Sequence, residues 1–85
     1  MQTLKKLLWY AIAESIFSNV RDATLSDETF LRNIKNGRNA TIHLRKKHFP
    51  IIVRKVVNDM LKFRGYSVTS MKYHFFGMDI FISQN

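Results

Sequence analysis

PIIVRKVVNDMLKFRG, residues 50–65, is the stretch on which the fold turns. Ile52, Val53, Val56, Val57, Met60 and Phe63 recur at the three-and-four spacing of one helical face, with Arg54, Lys55, Asn58, Asp59 and Lys62 elsewhere on the helix. Pro50 has the fixed φ suited to a first helical position, and Gly65 can supply the helix exit after Arg64. The spacing therefore predicts a helix over 50–64 with a broad buried face.

On either side of this helix the period changes to two. From Ala40 to Arg45, Ala40, Ile42 and Leu44 alternate with Thr41, His43 and Arg45, the pattern of a half-buried strand. Beyond the helix, Tyr66 to Phe75 and Met78 to Ser83 are two β-rich runs around Phe76-Gly77, which reads as a hairpin. Val68 and Met71 have opposite parity, so both can point inward only if a bulge intervenes near Thr69-Ser70. On the last strand Ile80 and Ile82 share one side, Asp79 and Phe81 the other.

Upstream lie two further helices. The first, about residues 3–19, is expected to present Leu4, Leu8, Ala11, Ile12, Ser15 and Ile16 on one face. A polar link over 21–25 leads to Ser26 as the cap of a second helix, about 27–36, with Asp27 and Glu28 in its first turn, Phe30, Leu31 and Ile34 as its stripe and Asn36-Gly37 as its exit. The expected fold is thus α+β, in the order α-α-β-α-β-β, with a three-stranded, largely antiparallel sheet and helices packed on one face. At 85 residues the chain has room for one small domain and one core.

Composition narrows the function classes. With 46% hydrophobic and 24% charged residues the chain is globular rather than disordered. Zero cysteines exclude a disulfide framework and any Cys-based zinc site, which fits a reducing compartment. Lys5 and Lys6 before Leu7–Ala13 imitate a secretory signal, but the apolar run is short, contains Trp9 and Tyr10, and reads as well as a helix. No run approaches the roughly 18 apolar residues that span a bilayer, so a cytoplasmic protein without membrane contact is expected. His43, His48 and His74 lack the spacing of a common helical metal site, and the carboxylates form no evident acid/base pair. Gly37, Gly65 and Gly77 are too isolated for a phosphate-cradling loop. The expectation is no enzyme, no cofactor and no metal.

What remains is charge and aromatic surface. Eleven of the fourteen basic residues lie between Arg32 and Lys72, a stretch with Asp59 as its single carboxylate, and the net charge is +8. Such an excess attracts polyanions. Arg38, Arg45, Lys46, Lys47, Arg54 and Lys55 are the candidate phosphate contacts of a weakly sequence-specific DNA- or RNA-binding protein, the last five flanking or following the start of a helix that favours anions. A solvated turn would need the same residues for solubility. Tyr73, Phe75, Phe76 and Phe81 crowd the hairpin, and alternation obliges some of them to face away from the core. Outward aromatics suit base stacking or a protein interface. The competing reading is therefore an interaction module that grips an acidic protein through these four aromatics, steered by its charge. Homo-oligomerisation is a third possibility, opposed by the charge excess.

Ile42-His43-Leu44, then Met60-Leu61-Lys62-Phe63-Arg64-Gly65-Tyr66-Ser67-Val68, then Asp79-Ile80-Phe81-Ile82-Ser83 resembles the strand-helix-hairpin of short accessory proteins of tailed bacteriophages, over about residues 30–85. Those proteins commonly close on an aromatic after the serine, where this chain has Gln84. The resemblance implies a phage or mobile-element origin, action in the host cytoplasm, and a small non-enzymatic role in binding nucleic acid or host machinery. It transfers no site residues.

Overall fold

The computed structural model of the chain describes residues 2–85, with side chains from Lys6 onward. The elements are α1 (Gln2–Leu25), α2 (Glu28–Lys35), β1 (Ala40–Leu44), α3 (Pro50–Leu61) with a 3-10 turn at Lys62–Arg64, β2 (Tyr66–His74) and β3 (Gly77–Gln84). Their order and α+β class match the expectation from sequence. The sheet is antiparallel with β3 in the middle, in the order β1-β3-β2.

Strand alternation decides which side becomes core. Ala40, Ile42 and Leu44 of β1, Met78, Ile80 and Ile82 of β3, and Tyr66 and Val68 of β2 are buried together with Ile16, Val20, Phe30, Ile52, Val53 and Val57 from the three helices. Val53 and Val57 of α3 are completely buried, each burial contributing about 1.5–3 kcal/mol of transfer free energy. The other side of the sheet has no helix over it.

Four sequence expectations are corrected. The long α3 stops at Leu61, and the tighter 3-10 turn rotates Phe63 off the apolar stripe, leaving it 81% exposed with the Arg64 guanidinium 5.5 Å from its ring centre. Helix α1 runs through the supposed link at 21–25 to Leu25, because nothing there breaks it; its packed face is Ile12, Ala13, Ile16, Val20 and Ala23. Leu8, expected inside, is 63% exposed, and Ala11 and Ser15 are exposed too, while the side chain of Leu4 lies outside those described. A 24-residue helix is about 36 Å long and five-residue β1, the strand it packs on, about 17 Å, so α1 extends well beyond that strand. The cap of α2 is Asp27, whose carboxylate accepts from the Phe30 N–H at 3.0 Å; Ser26 instead donates back to the Asp22 carbonyl at 2.8 Å, inside the end of α1. The hairpin turn is Phe75-Phe76, one residue earlier than expected, with Gly77 already in β3 opposite His74.

The expected bulge is present: Val68 pairs with Ile82 and Ser70 with Phe81, so Thr69 has no partner. Helix α3 holds this irregular strand from outside the sheet. Asn58 Oδ1 accepts from the Val68 N–H at 2.8 Å, and Arg54 Nη1 donates to the Val68 carbonyl at 3.1 Å. Both Val68 backbone groups, which the β2 edge would leave bare, are thereby satisfied. None of the described helices is long and apolar enough to cross a membrane.

Candidate nucleic-acid interface

Strand β1 ends at buried Leu44, and Pro50 starts α3, so the loop 45–49 has five residues in which to turn. Its far end is pinned at His48. The Asn19 side-chain amide lies 3.2 Å from His48 Nε2, and the Tyr73 hydroxyl donates to the His48 carbonyl. Burial, and secondarily the charge of Lys46, pushes the His48 pKa down, which favours the neutral imidazole. Between these anchors Arg45, Lys46 and Lys47 are exposed.

The six basic residues expected to form one surface are divided. Arg45, Lys46 and Lys47 share the loop. Arg38 precedes β1 at its opposite end, beside the Tyr66 hydroxyl that donates to the Arg38 carbonyl. Arg54 is spent on Val68, in the row Ala40–Ile82–Val68, about 13 Å along the strands from the row that ends in Leu44. Lys55 points from α3 towards Asp59, at 4.0 Å. A groove at the β1 edge sets Arg45 and Lys46 against Asp22, Asp27 and Glu28 from the α1–α2 corner, so part of the loop's field is offset across it. Proximity in sequence misled because a five-residue strand and a helix carry neighbouring residues to opposite ends of the sheet.

Neutralisation is nonetheless sparse. The only lysine or arginine ion pairs among the described residues are Arg21–Asp22 at 3.6 Å and Lys55–Asp59 at 4.0 Å, both exposed and therefore weak. The other lysines and arginines whose side chains are described make no ion pair.

The four hairpin aromatics also part company. Tyr73 falls in the row Leu44–Met78–Tyr73 on the helix side of the sheet. Phe75 and Phe76 form the tip, 86% and 76% exposed, with their rings edge to face at 5.0 Å. Phe81 alone lies on the helix-free face, half-buried, at the centre of the middle strand between Thr41 and Ser70.

On that same face is a cluster the sequence concealed. Asp79 Oδ1 is 2.8 Å from His43 Nδ1 and 3.2 Å from His74 Nε2, which brings both imidazoles to one carboxylate oxygen. The hydrogen bond with His43, foremost, and the lesser contributions of His43 and His74 charge outweigh burial and lower the Asp79 pKa. Lys72, directly opposite Asp79 in the ladder, is not in ion-pair contact with it. The alternation placed His43 and Asp79 outward, but only the register puts them in the same row. No group of three His, Asp or Glu among the described residues is arranged to hold a metal ion. No protein-family model, curated protein or solved structure matches the chain.

Proposed function

We propose that this protein is a non-enzymatic nucleic-acid-binding module whose contacts are mainly to the phosphate backbone and only weakly sequence-specific. The observation that carries the reading is the unneutralised charge: a chain of net charge +8 has just two exposed lysine or arginine ion pairs among its described residues. Arg45, Lys46 and Lys47, on a loop anchored at both ends, are the leading phosphate contacts. Arg38, Arg54 and Lys55 lie apart from them and contribute to the general field. Each phosphate contact adds about 0.9 to the log–log salt slope on duplex DNA. Lys46→Ala with Lys47→Ala is therefore expected to flatten that slope by about two units. An unchanged slope removes both lysines from the interface.

A second reading is supported by the Phe75–Phe76 tip, two exposed rings that neither the core nor a helix covers. Under it the tip docks in an apolar pocket of an acidic partner protein, with the surrounding cations steering the encounter. Replacing both rings, Phe75→Ser with Phe76→Ser, would abolish capture of such a partner from nuclease-treated lysate while leaving salt-dependent DNA binding unchanged. Capture that survives the double replacement rules the tip out.

A further inference from the structure

We infer that the helix-free face of the sheet is a platform for single-stranded nucleic acid, with Phe81 as the surface on which a base stacks and Lys72 as the adjacent phosphate contact. This rests on the nucleic-acid reading above and adds the strand state that the protein takes.

Three features carry it. Phe81 occupies the middle of the central strand, and its cross-strand neighbours Thr41 and Ser70 are short, so nothing beside it in its own row overtops a phenyl ring. Lys72 lies on the same face, two residues along and one strand across, about 7 Å by about 4.8 Å from Phe81 by strand geometry. Its ammonium makes no ion pair with the carboxylate opposite it, Asp79, whose Oδ1 lies against His43 and His74.

The chemistry of the surround selects among occupants. A protein interface is depleted of charged residues at its centre and enriched in several aromatics. Here a single ring is set among Thr41, His43, Ser70, Lys72 and Asp79. A flat face with one ring and a neighbouring cation suits a strand whose bases are splayed, because every base offers a π-face while a duplex keeps its bases stacked inside.

The test uses fluorescence anisotropy with a single-stranded oligothymidine of about ten nucleotides, its duplex, and an abasic strand of equal length, against the full chain and Phe81→Leu. Leucine keeps an apolar side chain in β3, and thermal unfolding by circular dichroism checks that the variant folds. Phe81→Leu is expected to weaken binding of the oligothymidine about 5- to 100-fold and to leave duplex binding unchanged. Removing the bases should cost the unaltered protein a similar factor and cost Phe81→Leu nothing further. Equal affinity of Phe81→Leu and the unaltered protein for the oligothymidine overturns the platform while leaving phosphate binding by the loop intact. Absence of salt-dependent binding to both strand forms overturns the nucleic-acid reading as well.

Discussion

Of the three glycines, Gly77 has the least room to change. It is buried in the first position of β3, and a Cβ built on it would run into the Leu44 carbonyl and the backbone of Arg45. Those atoms are main chain and cannot swing aside as a side-chain tip would. Gly77→Ala is accordingly expected to destabilise the fold by about 1–3 kcal/mol, measured by urea denaturation, and to displace the start of the basic loop. His48 answers to a different variable. Its folded pKa lies below the value in the unfolded chain, so as the pH falls the unfolded state takes up the proton first. Stability held in full above the ordinary histidine range is lost as the pH drops through that range, and the loss levels off below the folded pKa. Lys46→Ala removes the lesser of the two causes and is expected to move the His48 titration upward, followed by the imidazole proton resonances; an unmoved titration would mean that burial acts alone. Neither role was legible in the sequence. Gly77 looked like a turn residue and His48 like a histidine outside any metal-site spacing, since close approach and desolvation depend on which segments meet.

At the level of elements, the clamp from α3 onto β2 has the sharpest consequence. Asn58→Ala leaves the Val68 N–H without its acceptor at a half-closed sheet edge, a loss of about 1–3 kcal/mol readable in denaturant unfolding. Amide exchange at Val68 should accelerate by more than exchange at Ile80, on the protected middle strand. If both amides keep their native rates, the edge is closed by something other than Asn58. Asn58 and Arg54 fall outside the apolar stripe of the helix, yet helical periodicity is silent on what a polar side meets. The same distinction runs through the other elements. Period-two and period-3.6 patterns identified every strand and helix, and the parity conflict between Val68 and Met71 located the bulge. Boundaries failed where local chemistry was ambiguous: Ser26 and Asp27 are both able caps, and residues 21–25 are polar but perfectly capable of helix. Helix α1 found its face by pairing with α3 and β1, which brought in Val20 and left Leu8 outside.

For the molecule as a whole, the sheet separates two surfaces with different chemistry. One carries the core and the helices. The other carries Phe81 and the Asp79 cluster, with the basic loop at one end. The aromatic content of this second surface was partly legible, because Phe81 shares its parity with Asp79. The layout of positive charge was not, since eleven basic residues close in sequence are spread over both ends of the sheet and over α3. A candidate site read from a run of lysines and arginines keeps its meaning only for residues that share one loop.

The position of β3 also bears on how the chain acquires its shape. Strands β1 and β2 never touch each other through the ladder; every rung belongs to residues 77–84. A ribosome that has delivered residues up to 76 has therefore made helices but no sheet, and Ile42 and Leu44 wait without a neighbour for their amides. The rungs between Ala40 and Ile82 span 42 positions of chain, a loop whose closure slows folding relative to a helical bundle of equal size. Until it closes, the apolar residues of β1 are open to pairing with any other chain nearby, which makes that interval the one in which self-association competes with folding.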